Sequence, residues 1–238
     1  MCGVGYVCVL RGTQRREKHV GVNASVELRS VTKTYGPVRA LVGVSARFLA
    51  GRVSMVIGPN GSGKSTLLAI VGTLARPTSG LVDHGSLGPG RPAVRASLGW
   101  LGHDSLCYAD LTGRENIELA ARLHRIDAGK AFAEASARFD LGAFADRVVR
   151  TYSRGQRQRI ALARALVHGP KLVLLDEPTT GLDATSTDRL EGVVRDEASK
   201  GAIVLVVTHD TAFAKAVGDD MFPLERGRLV TPEAGSNA

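Results

Sequence analysis

The stretch from Val53 to Thr73 constrains this chain more than any other. An apolar run of β type, Val53-Ser-Met-Val-Ile57, breaks into Gly58-Pro-Asn-Gly-Ser-Gly-Lys-Ser65 and resumes as Thr66-Leu-Leu-Ala-Ile-Val-Gly-Thr73 with helical spacing of its apolar residues. Strand, glycine-rich loop and helix therefore follow one another directly. The glycines let backbone N–H groups converge on one point without Cβ obstruction, and the helix aims its positive end at that point. The pattern predicts an anion site for nucleotide phosphates, framed by Gly58, Pro59, Asn60, Gly61, Ser62, Gly63 and Thr66. Lys64 is placed to reach the β- and γ-phosphates, and the Ser65 hydroxyl is the expected Mg²⁺ ligand. A chance lysine in a glycine-rich turn would lack the flanking strand and helix that confirm the motif.

At 238 residues the chain can bury a substantial core, as one large domain or two small ones. No apolar run approaches the roughly 20 residues needed to cross a bilayer, so a membrane role requires a partner that does the spanning. The apolar opening Met1–Leu10 precedes its basic cluster Arg11, Arg15, Arg16 and Lys18, the reverse of an export signal. Residues 1–25 read as a disordered tail and 26–238 as the folded domain. Cys2, Cys8 and Cys107 have no metal-type spacing and form an odd set, which fits a reducing cytosol. The net charge of +8 admits ATP, nucleic acid or lipid headgroups as partners and does not choose among them.

Upstream of the loop, Val26–Arg29 alternates like a half-buried strand and Val38–Phe48 continues with β-type runs, predicting a small antiparallel layer. Tyr35 is placed either to stack on an adenine base or to fill the core at a strand end. Downstream, Arg76–Gly80 and Asp83–Gly90 have turn chemistry, and Ser97–Leu101 reads as a short strand. Arg114–Leu123 and Lys130–Phe139 have helical periodicity, with Thr112 and Asp127 as N-caps. A further helix opens at Tyr152–Arg159, where Ser153 and Gln156 have capping-box spacing, and runs to Val167. Lys171–Asp176 and Ala202–Thr208 are unbroken apolar runs separated by a helix from Asp183, the signature of parallel strands covered on both faces. With Val53–Ile57 they predict a doubly wound α/β core whose ligand lies beyond the carboxyl ends of its strands. Phe222–Val230, turning near Arg226–Gly227, reads as a closing hairpin.

Asp176 and Glu177 follow a buried strand and emerge at the phosphate-loop edge. Phosphoryl transfer asks mainly for positioning and charge stabilisation, so Asp176 is assigned to Mg²⁺ and Glu177 to the attacking water. His209, after the strand ending at Thr208, arrives at the same edge and is placed to touch the γ-phosphate or hold the water.

The order Tyr35, Gly58 to Ser65, Ser153-Arg-Gly-Gln156, Asp176-Glu177, Gly181-Leu182-Asp183, His209 resembles the ATP-binding cassette family of transporter ATPases, from about Val26 to Val230. The resemblance implies a P-loop NTPase fold: a RecA-like core with a mainly parallel sheet, a small antiparallel β subdomain, and an inserted helical subdomain at about 104–155. It implies ATP and Mg²⁺ as cofactors and ATP hydrolysis coupled to transport. It also implies two cassettes, a homodimer or a paired subunit, with ATP sandwiched between the phosphate loop of one and Ser153, Gly155 and Gln156 of the other. Asp183 would lie at the seam. An integral membrane subunit would hold the pair at the cytoplasmic face of the inner membrane.

Two residues depart from the family's pattern. Arg154 replaces the first of two signature glycines. His103 stands where the family has a glutamine that contacts nucleotide, Mg²⁺ and the membrane partner. The group Leu101-Gly-His103, Leu111-Thr112, Glu115-Asn116 and the altered signature resembles the haem-exporter branch serving cytochrome c maturation. His103 with Cys107 suggests a haem ligand pair, but haem need not reach the ATPase of such a system. Export of another small molecule or drug is the alternative, and an ATPase acting on nucleic acid or the ribosome a more distant one. No second phosphate loop or heptad insertion supports the last.

Overall fold

The computed structural model describes residues 24–102 and 105–230. Strands β1 (Ser25–Tyr35) and β2 (Val38–Leu49) pair as a hairpin, and β4 (Ser79–Asp83) adds to the other edge of β1, giving an antiparallel sheet in the order β2-β1-β4. Both hairpin strands outrun the expected segments because pairing continues through irregularities between Leu28 and Thr34, which break the alternation without ending the ladder. Where the sequence expects turn chemistry, at Arg76–Gly80 and Asp83–Gly90, the chain forms β4, a 3-10 turn at Gly85–Leu87, and then α2 (Gly90–Ala96). β4 is mostly exposed and carries no apolar pattern, so only its register with β1 makes it a strand.

The second sheet has the order β5-β6-β7-β3-β8-β9, built from β3 (Val53–Ile57), β5 (Leu98–Leu101), β6 (Leu172–Asp176), β7 (Ile203–Thr208), β8 (Asp220–Glu225) and β9 (Arg228–Leu229). The first five in that order run parallel, and β9 returns antiparallel. The hairpin at Arg226–Gly227 forms as expected, but its first strand also lies parallel to β3, from Ser54 opposite Asp220 to Ile57 opposite Pro223. That strand lay outside the three read from unbroken apolar runs, because β8 is only partly buried.

Alternate residues of the central strands feed two cores. Met55, Val173, Leu175, Val204 and Val206 face α3 (Gly113–Leu123), α4 (Ala128–Phe139), α5 (Arg154–Leu166), α6 (Ala184–Ser199) and α7 (Thr211–Val217). Val56, Leu172, Leu174, Leu205 and Val207 face α1 (Lys64–Val71) and the antiparallel sheet. Full burial of each such side chain contributes roughly 1.5–3 kcal/mol relative to exposure, which fixes the strand order and hence what meets at the strand ends. The N-caps Thr112 and Asp127 and the Ser153–Gln156 capping box form as the sequence predicts; the structure adds Glu115, which completes a box with Thr112, and Asp183, which caps α6. Among the described residues no helix is long and apolar enough to cross a membrane.

Candidate nucleotide site

β3, β6 and β7 are parallel neighbours in register, with Ile57 opposite Thr208 and Asp176 opposite Val207, so the residues that follow them arrive at one edge. The glycine loop, Glu177 and His209 there wall a cleft of about 550 Å³, completed by Val38, Arg39 and Ala40 of β2 and by Thr180. The loop is held from outside. A Cβ on Gly63, whose φ is 105°, would collide with the Ala40 carbonyl and lie 3.0 Å from Leu41 Cδ2, so only glycine fits. The hairpin turn clamps the loop from a second side, Gly227 N donating to Ser62 O at 2.9 Å while Gly227 O accepts from Val42 N at 2.8 Å.

Gly63 is also the N-cap of α1, and no side chain caps that helix. Its first-turn N–H groups and the positive end of its dipole open on the cleft. Lys64 is 6% exposed, donates to the carbonyls of Gly58 at 2.8 Å and Pro59 at 3.1 Å, and lies 3.6 Å from Glu177 Oε1. A buried ammonium with several donors at the base of a glycine cradle suits the bridging oxygens of a polyphosphate. Ser65 and Asp176 line the same cleft and offer only oxygen donors, the set that suits Mg²⁺, which takes few protein ligands and completes its shell with phosphate and water.

Glu177 holds a left-handed backbone, φ 49°, which costs on the order of 1–3 kcal/mol for a non-glycine residue. The conformation is held by its N–H donating to Val207 O at 2.9 Å, and by its side chain. Oε2 accepts from Thr208 Oγ1 at 3.1 Å and from His209 N at 3.2 Å, and meets His209 Nδ1 at 2.8 Å. The carboxylate is thus oriented by β7 and faces Lys64 across the cleft, where it can accept a proton from a water or orient it. His209 pairs with Glu177 while most of its ring stays exposed.

The structure thus brings together Asn60, Gly61, Gly63, Lys64, Ser65, Thr66, Asp176, Glu177 and His209. It does not bring Ser153, Gly155, Gln156 or Asp183 to this cleft. Asp183 caps α6, and the hydroxyl and N–H of Ser186 hold its carboxyl below the usual range. Tyr35 is 50% exposed at the end of β1, with the Lys33 ammonium 4.7 Å from its ring centre, so it does not fill the core. His103 lies outside the described residues. Burial pushes the Cys107 thiol up, away from the thiolate form a metal would need. Arg39, Thr180 and the Thr208 hydroxyl were not legible beforehand: they belong to no motif and reach the site only through sheet order.

The profile of the ABC transporter family matches residues 41–180. This chain is a member of that family. It is 36% identical to the daunorubicin resistance ATP-binding protein DrrA3 of Streptomyces coeruleorubidus over 87% of this chain and 67% of that one. It is 37% identical to the cytochrome c biogenesis ATP-binding export protein CcmA 2 of Cupriavidus metallidurans over 79% of this chain and 90% of that one. Among solved structures, the dimeric post-hydrolysis state of the ATP-binding cassette MJ0796 bound to ADP and Pi superposes with a TM-score of 0.78 at 31% identity, covering 87% of this chain and 97% of that one. The chain is accordingly the ATP-binding subunit of an ABC transporter, and ATP hydrolysis is its reaction.

Proposed function

We propose that this ABC ATPase powers export of haem or a related small molecule through a separate membrane subunit, in the service of cytochrome c biogenesis. The observation that carries the ATPase cycle is the cleft where Lys64, Ser65, Asp176, Glu177 and His209 converge without Ser153, Gly155, Gln156 or Asp183. Half of the family's nucleotide-binding set is thereby left for a second cassette to supply. In this reading two copies face each other head to tail. Mg·ATP is held by Lys64 and the glycine loop, with Mg²⁺ on Ser65 and through Asp176, and is closed over by Ser153 and Gly155 of the opposite copy. Asp183 lies at the seam, Tyr35 takes the base, and Glu177 orients the water with His209 beside it. The membrane subunit docks on the side where Leu106 and Tyr108 are exposed.

Support for haem comes from the cytochrome c biogenesis relative, 90% of whose length aligns, against 67% for the drug-resistance relative. A drug exporter is the second reading, favoured by nearly equal identity to the latter.

The cycle is tested with Glu177→Gln. Turnover falls by about 10²–10⁴-fold, ATP binding remains, and the protein elutes as a dimer in Mg·ATP. Normal turnover rejects Glu177 as the water-orienting residue. Substrate is tested by deleting the gene in its host: loss of haem-stained c-type cytochromes supports haem export, and drug sensitivity with normal cytochromes transfers the assignment.

A further inference from the structure

A second cavity, of about 630 Å³ against about 550 Å³ for the nucleotide cleft, opens at the far end of α1. The last turn of α1 and the segment after it, β4, and the approach to α2 form its walls, and it shares no residue with the cleft. Its volume falls among those of small-molecule sites, roughly 300–1,000 Å³, which combine an apolar lining with a few convergent polar groups. Ile70, Pro77, Leu81, Val82 and Pro89 supply the apolar part, and Leu81 is left 53% exposed. The charge beside it has one sign. Arg91 and Arg95 both donate to the Thr73 carbonyl, and Arg95 Nε also donates to the Thr73 hydroxyl at 3.2 Å. Thr73 is 4% exposed, so a single buried, neutral residue receives two guanidinium groups. Among the described residues none of Arg76, Arg91 and Arg95 pairs with a carboxylate, and Arg76 has no hydrogen bond at all. Asp83 is the one acid of the wall, and its Oδ1 accepts from Gly85 N at 2.9 Å. The carbonyl end of α1 accounts for Arg91 and Arg95, but neither for Arg76 nor for the apolar cavity next to them. Each guanidinium carries five N–H donors, so positive charge and spare donors both face this space.

We propose that this cavity binds a small organic anion, with a carboxylate or similar headgroup held by Arg76 and Arg91 and an apolar body lying against Pro77, Leu81 and Val82. A planar guanidinium pairs with such a headgroup through two parallel N–H donors, and the apolar wall rejects a bare inorganic ion. The site is separate from the nucleotide cleft and independent of what the transporter carries.

The probe is 1-anilinonaphthalene-8-sulfonate, a sulfonate on an apolar body, titrated by fluorescence into the full chain in saturating Mg·ADP so that the nucleotide cleft is occupied. Arg76→Glu and Leu81→Asp each weaken its binding about tenfold or more, because each sets a carboxylate against the sulfonate. Both residues are exposed, so the variants fold, and unchanged ATP turnover verifies it. Leu123→Asp, at an apolar residue 73% exposed on α3, leaves probe binding unchanged. Decanoate displaces the probe, and decanol, equally long but neutral, does so about tenfold more weakly. Loss of the probe on adding Mg·ADP places it in the nucleotide cleft and overturns the proposal. So do an unaltered affinity in Arg76→Glu, equal weakening in Leu123→Asp, and equal displacement by decanol. Displacement by phosphatidylglycerol vesicles without displacement by decanoate assigns the arginines to a lipid surface and overturns it as well.

Discussion

The two helix starts, α1 and α5, carry the same backbone dipole and treat it in opposite ways. α1 is capped by a glycine without a side chain, and its surroundings are rigid: β2 presses on Gly63, the Gly227 turn clamps Ser62, and Lys64 fills the base. α5 satisfies itself. Ser153 Oγ accepts from Gln156 N at 3.3 Å, and Gln156 Oε1 accepts from Ser153 N at 3.1 Å and from Arg147 Nη2 at 3.0 Å. A helix N-terminus becomes an anion site within one chain only when the fold brings further donors and a cradle around it. α1 has both, whereas Ser153, Gly155 and Gln156 at the α5 start do not line the cleft.

One substitution at both starts gives the sharpest contrast. Gly63→Ala forces a Cβ into the Ala40 carbonyl at φ 105° and is expected to reduce ATP turnover by at least about 10²-fold through lost nucleotide binding, measured by fluorescent-nucleotide titration. Gly155→Ala meets open space, so it leaves nucleotide binding by the isolated chain unchanged and weakens only Mg·ATP-dependent pairing. Equal loss of binding in both variants would break the distinction.

Ser153→Ala should cost about 1 kcal/mol of stability through the lost cap, seen as a drop of a few degrees in melting temperature. α1 has no side-chain cap to lose, so Ser62→Ala and Ser65→Ala should leave the melting temperature nearly unchanged. A larger drop for these than for Ser153→Ala would reverse the assignment of self-capped and ligand-capped starts.

A pH-dependent effect comes from the far ends of the two helices. Beyond α1, His84 Nε2 meets Val71 O at 2.7 Å, and Arg95 and Arg91 donate to Thr73 O, so polar and cationic groups serve the carbonyl end. Beyond α5, His168 stacks on His124 with ring centres 3.7 Å apart, and burial lowers its pKa from 6.5 to about 4. The unfolded chain binds the proton more readily, so the stability gained from a neutral His168 is complete above about pH 6.5 and lost as pH falls towards 4. Melting followed over this range should slope less in His168→Leu than in the unmutated chain. An identical slope would assign the acid sensitivity elsewhere.

Much of the site was legible because its motifs are local. The glycine loop, Lys64, Ser65 and the Asp176–Glu177 pair announce themselves within a few residues of a strand end. The approach of the exposed Arg154 side chain to Gly181 was not legible, since Gly181 belongs to another loop and neither residue signals the other. The left-handed backbone of Glu177 was hidden too, because its supports, Val207, Thr208 and His209, come from the adjacent strand.

By itself the sequence determined the N-cap at Thr112, the capping box at Ser153, the phosphate loop, and the unbroken apolar strands β6 and β7. Each depends on interactions within a turn or two of chain, where residue type and spacing suffice. Tertiary structure alone decided that exposed β4 would be a strand, that β8 would lie parallel to β3, and that Ser153, Gly155 and Gln156 would lie off the cleft. Those outcomes follow from sheet order and register, which are set by burying two cores at once and so by residues far apart in the chain.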